Sequence, residues 1–165
     1  MLERTIRKLK DGVEDGIPEP DPVLEISVDG YIPDDYIADP RYKLELYRRF
    51  AGLDYGEKDD LLDEIIDRFG EPPEEVEVLW RVACLRALCR LLHIRGISVK
   101  PGELRITFAE NAAIDPTALM QLISEQQQYM NFKSGAQAQL IFRTVKLKTD
   151  SLTWLEKNLP RLAFD

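Results

Sequence analysis

A chain of 165 residues with 44% hydrophobic and 32% charged side chains has the composition of a globular domain, large enough to bury a core without disulfides or metal. Its net charge of −8 is unevenly spread: residues 1–10 hold four basic and one acidic side chain, residues 11–80 six basic against twenty-two acidic, and residues 81–165 twelve basic against seven acidic. So acidic a middle segment repels a phosphate backbone, which argues against direct nucleic-acid binding and for a basic protein surface as partner.

In chain order, Leu2, Ile6 and Leu9 fall at helical spacing and predict a short helix over residues 2–10. Residues 11–22, with acids, glycines and three prolines, read as an extended linker, so the first ten residues hang from a preceding structure and the chain reads as a fragment. Val23 to Val28 alternates enough for a strand. Asp39-Pro40 supplies an N-cap and a proline at the first helical position; Leu44, Tyr47 and Ala51 share one face of the helix that follows, and Gly52 ends it.

Residues 57–69 predict an amphipathic helix whose apolar stripe is Leu61, Leu62, Ile65, Ile66 and Phe69. Opposite lie Asp60, Glu64, Asp67 and Glu71 at i, i+4, i+7 and i+11, all acidic, with Gly70 as C-cap and Pro72-Pro73 barring continuation. Pro73 opens a long apolar helix with Glu74, Glu75 and Glu77 at its N-terminus and Arg86, Arg90 and Arg95 toward the other end, closed by Gly96. A hairpin follows over residues 97–108, turning at Pro101-Gly102. Asp115-Pro116 caps a helix to about Gln128, a second hairpin turns at Ser134-Gly135, and residues 151–164 form a last helix with Leu152, Leu155, Leu159 and Leu162 inward. The order predicts an α+β fold of about five helices, two β-hairpins and an extra N-terminal strand, in an antiparallel or mixed sheet.

Catalytic signatures are absent: there is no Gly-rich phosphate loop and no nucleophile elbow. The lone His93 reads as a capping or half-buried residue. Cys84 and Cys89, five apart on a helix, point to different faces and read as buried free thiols of a reducing cytosol, with no metal-ligand spacing to His93. No run reaches the ~18 apolar residues of a membrane helix, and Met1-Leu2-Glu3-Arg4 opens no signal peptide. A cytoplasmic, non-enzymatic module is expected. The paired acids, Asp34-Asp35 included, read as solvated surface, a hydrolase needing carboxylates converged on one pocket. An all-acidic helix stripe costs about 0.2–0.5 kcal/mol per like-charged i,i+4 pair, which a partner presenting arginine forks would offset.

Two stretches resemble a known family. Val28-Asp29-Gly30-Tyr31-Ile32-Pro33-Asp34-Asp35-Tyr36-Ile37, with Arg41 and Leu44-Glu45-Leu46-Tyr47-Arg48-Arg49, is similar to one signature of the C-terminal domains of bacterial transcription-repair coupling factors. Glu64-Ile65-Ile66-Asp67-Arg68-Phe69-Gly70-Glu71-Pro72-Pro73 is similar to another. The motifs span about residues 28–95; Gly30 stands where alanine is common, and the segment after Leu53 is short.

The resemblance implies residues 1–10 as the tail of a motor region, 11–22 as linker and 23–165 as a C-terminal regulatory domain. It implies a parent that is an ATP-driven double-stranded DNA translocase, which displaces stalled RNA polymerase and recruits excision repair through UvrA. ATP and Mg would belong to that motor, with no cofactor in this segment. The domain would clasp the N-terminal UvrB-like module of the same chain, masking the UvrA-binding surface. Glu64 and Asp67, flanked by Asp60 and Glu71, would carry the clasp; Tyr31, Pro33, Asp34, Asp35, Arg68, Phe69 and Gly70 would be structural, Arg68 pairing back to Glu64 and Asp34-Asp35 forming a locally capped turn. The alternative is an independent acidic adaptor docking a basic surface of RNA polymerase or a repair protein.

Overall fold

The computed structural model describes residues 21–144 and 150–164. The segment expected as a helix over residues 2–10 and most of the expected linker lie outside the described residues. In chain order the elements are β1 (Val23–Glu25), α1 (Pro40–Ala51), a 3₁₀ turn (Tyr55–Glu57), α2 (Lys58–Phe69), α3 (Glu74–Leu92), β2 (Ile94–Lys100) and β3 (Glu103–Phe108). They continue with α4 (Pro116–Glu125), β4 (Met130–Lys133), β5 (Gln139–Arg143), α5 (Ser151–Asn158) and a second 3₁₀ turn (Leu159–Leu162). The strands form one mixed sheet ordered β1-β2-β3-β5-β4; β1 pairs parallel to β2, and the other neighbours are antiparallel. The expected α+β class and N-terminal strand are both present.

Local chemistry explains most boundaries. Asp39 accepts from the Arg41 amide and Asp115 from the Thr117 amide, each just before a proline at the helix start, so both caps act as expected. Asp150 caps α5 by accepting from Thr153. Gly70, at φ 89, donates back to the Ile66 carbonyl and turns the chain out of α2. Gly102, at φ 83, holds the β2–β3 turn.

Several boundaries differ from expectation, the first being β1, which ends at Glu25 rather than Val28. The long helix stops at Leu92, where His93 adopts a left-handed conformation (φ 56) and its amide bonds to the Arg90 carbonyl. Gly96 is therefore no helix terminator but lies inside β2, and Arg95 is the extra residue of a bulge, because Ile94 faces Phe108 while Gly96 faces Thr107. An added Cβ on Gly96 would stand 2.8 Å from the Val23 carbonyl oxygen; glycine is there so that β1 can approach. The helix from Asp115 ends at Glu125, short of Gln128. The last helix tightens to 3₁₀ after Asn158, and Leu152, Leu155, Leu159 and Leu162 are all buried as expected.

Two apolar clusters share one helix. Leu85, Leu88, Cys89 and Leu92 of α3 pack with the sheet, α4 and α5, while Val76, Ala83, Cys84 and Ala87 pack with α1, α2 and the loop bearing Ile32 and Ile37. A helix apolar on all sides is what such a double role demands. On α1 the face toward this second cluster carries Leu46 and Phe50. The Leu44–Tyr47–Ala51 face is exposed instead, Leu44 by 51% and Tyr47 by 39%.

Both cysteines are buried free thiols. Desolvation pushes each thiol up to about 12, so neither is reactive in the folded chain.

Candidate interdomain docking surface

The acidic helix α2 packs beside α1, and the two signature stretches meet along that seam. The Tyr36 hydroxyl donates to the Gly70 carbonyl at 2.6 Å, while the rings of Tyr36 and Tyr42 lie 6.2 and 6.4 Å from that of Phe69. The Arg68 guanidinium sits 4.9 Å from the Phe69 ring and 5.8 Å from that of Tyr42, a planar cation held against aromatic faces. It also pairs with Glu45 at 3.1 Å and Glu64 at 3.4 Å. The expected Arg68–Glu64 pairing is thus present, and Glu45, Arg49 and Tyr42 complete an arrangement the sequence reading missed. Their 3- and 4-residue spacing along α1 was the available signal.

Glu64 is engaged within the domain. Arg49 donates to it from α1, and Arg68 from its own helix. Its carboxyl is held below the ordinary glutamate range, chiefly by the Arg49 hydrogen bond. The geometry follows from helical spacing: at about 100° per residue, Glu64 lies some 40° from Asp60 toward buried Leu61 and Ile65, whereas Asp67 lies about 20° to the other side. The acidic side chains of α2 that face solvent without an ion pair to any described residue are Asp60, Asp63 and Asp67. Glu71 stands past the glycine that ends α2, so it leaves the stripe that its spacing implied. It faces Tyr36, whose hydroxyl is raised by burial first and by Glu71 second.

Tyr31 is 51% exposed, and the adjacent Ile32 amide donates to the Tyr47 hydroxyl at 3.0 Å. The turn after Pro33 is made by its carbonyl accepting from the Tyr36 and Ile37 amides, both at 3.1 Å. Asp34 does not cap it; it pairs with Lys43 on α1, while Asp35 is exposed. These acids do not converge with a third on one cavity, and among the described residues no group of three or more His, Cys, Asp and Glu could hold a metal ion. No helix of the described residues is long and apolar enough to cross a membrane. A groove of about 430 Å³ runs between the C-terminal end of α1 and the start of α2, lined by Arg48, Arg49, Gly52, Leu53, Glu57, Asp60, Leu61 and Glu64. It is an open polar furrow, suited to protein contact rather than to enclosing a small substrate.

Comparison with known proteins agrees with this arrangement. The family model described as TRCF domain matches residues 26–119, across both signatures and beyond them into α4. The chain is 37% identical over 102 residues to a transcription-repair-coupling factor of Bacillus subtilis, covering 60% of this chain and 9% of that protein. It is 31% identical over 130 residues to that of Haemophilus influenzae, covering 76% and 11%. To that of Escherichia coli it is 27% identical over 166 residues, covering 98% and 14%. The chain therefore spans roughly a tenth of the length of these relatives. A crystal structure of the C-terminal domain of transcription-repair coupling factor shares the fold with a TM-score of 0.69 at 24% identity, covering 86% of this chain and 94% of that one. With more than half of its residues matched by the family model, the chain belongs to the TRCF domain family.

Proposed function

We propose that this chain is a regulatory docking module of an ATP-driven DNA translocase that couples transcription to nucleotide excision repair. It clasps the N-terminal UvrB-like module of the same polypeptide and masks the surface that binds UvrA. The observation that carries the reading is the outer face of α2, where Asp60, Asp63 and Asp67 stand exposed and unpaired to any described residue while Glu64 borders them. Fixed carboxylates on a helix braced by Arg68 favour a partner presenting guanidinium forks, which bond carboxylates in pairs. The partner's identity comes from the family resemblance, and the chemistry of α2 supports it.

Holding the clasp shut and then releasing it nearly completely requires a differential affinity of about 5.5 kcal/mol. A few exposed ion pairs at ~0.2–1 kcal/mol each cannot supply that alone, so the clasp is a modest brake that polymerase engagement overcomes. Charge reversal at Asp67, which pairs with no described residue, raises UvrA affinity and basal ATPase in the full-length protein while this domain keeps its melting temperature; at Glu64 the same reversal also breaks the Arg49 and Arg68 pairs and lowers that temperature. Wild-type affinity and ATPase in the Asp67 variant, with the domain still folded, sink the proposal. Salt-sensitive binding of the isolated chain to RNA polymerase, with none to the UvrB-like module, establishes the adaptor role in its place.

A further inference from the structure

The bond between Arg49 and Glu64 is a contact that the docking surface makes with itself. It joins α1 to α2 across fifteen positions of sequence, and the two side chains are 39% and 40% exposed. Among the described residues the Arg49 guanidinium has no bond besides that to Glu64, and it lines an open groove. Arg68, equally exposed at 38%, has further contacts: it lies against two aromatic rings and pairs with Glu45. Glu64 is thus served by one guanidinium with further contacts and one without. A partner guanidinium approaching α2 finds Asp60, Asp63 and Asp67 open but finds Glu64 occupied.

We propose that Arg49 is a built-in competitor for the docking guanidinium, lowering the affinity of the α2 face by holding Glu64 until a partner arginine displaces it. The proposal rests on the docking reading above. The exchange swaps one charge-assisted hydrogen bond for another of the same kind, so Glu64 is never left without a donor. What the partner gains at Glu64 is therefore only the difference between two similar bonds, while its bonds to the unpaired aspartates count in full. A surface of this kind keeps its specificity for arginine yet binds weakly enough to be opened.

The test is a calorimetric titration of the UvrB-like module with this chain, comparing wild type with Arg49→Gln, Arg48→Gln and Asp67→Lys. Arg48 lines the same groove and bonds to no described carboxylate, so Arg48→Gln makes the same change of net charge without freeing Glu64. Arg49→Gln tightens binding about two- to fivefold, the range expected for releasing one exposed ion pair; Arg48→Gln changes it less, and Asp67→Lys weakens it. Unchanged or weaker binding by Arg49→Gln, with Asp67→Lys still weakening, overturns the competitor and makes Arg49 a brace. Equal tightening by Arg48→Gln overturns it in favour of a general charge effect. An Asp67→Lys chain that binds like wild type refutes the docking reading itself and removes the inference with it.

Discussion

Replacing Gly96 by alanine tests how β1 is joined to the rest of the sheet. The new Cβ would meet the Val23 carbonyl oxygen at 2.8 Å and the Val23 carbonyl carbon at 3.7 Å. The obstacle is backbone, not the free end of a side chain, so it yields only if β1 moves away. Moving it breaks the three-residue parallel ladder pairing Val23, Leu24 and Glu25 with Gly96, Ile97 and Ser98, at about 0.5–1.5 kcal/mol per lost hydrogen bond. It also uncovers part of the half-buried Leu24, whose full burial would be worth about 1.5–3 kcal/mol. Against this, alanine stiffens the unfolded chain by about 0.4–1 kcal/mol. The net loss is about 2 kcal/mol, or roughly 4–8 °C in Tm for a chain of this size. Circular dichroism melts measure it, with hydrogen exchange at Leu24 and Glu25 reporting release of the strand. Gly56→Ala is the control, since nothing lies within 4 Å of a Cβ there. A Gly96→Ala chain that melts no lower than Gly56→Ala, with Leu24 still protected, refutes the close-approach account.

Two further outcomes follow from the titrating groups. Asp39, Glu64, Glu125 and Asp150 are all depressed by their native partners, namely Arg41, Arg49, Arg161 and the Thr153 amide. A depressed folded value means that each contribution is complete above the ordinary carboxylate range and is lost as pH falls through the depressed value. Urea midpoints are therefore level near neutrality and fall below about pH 4, and Asp150→Asn, which keeps the cap without its charge, falls less steeply; a midpoint that rises on acidification contradicts the assignment. Cys84 and Cys89, both near 12, react with a disulfide reagent at pH 8 only through opening of the fold, two equivalents appearing in denaturant. Labelling of either at a free-thiol rate in buffer would show the site to be open.

Local signals in the sequence were enough for the caps, because Asp39-Pro40 and Asp115-Pro116 act on the residues beside them. They were not enough for the buried face of α1. Leu44, Tyr47 and Ala51 form one apolar face and Leu46 and Phe50 another, and periodicity cannot say which one meets the core. The end of α3 was misread because His93 takes a left-handed conformation usually given to glycine, while the real glycine three residues on serves a strand crossing. The candidate site shows the same division. Arg68 with Glu64 is a four-residue spacing and was legible, whereas Arg49 with Glu64 joins two helices and becomes visible only once they pack. Asp63, about 40° beyond Asp67 on the helix, lies outside the arc of the stripe, so its spacing reads only as solvated surface.

The nineteen-residue helix α3 belongs to both apolar clusters, and this governs how the domain unfolds. A helix packed into both clusters couples them, so the half that bears the acidic face is expected to unfold together with the sheet. Under the proposed docking, release is then an event at the α2 surface alone, with the domain folded before and after it.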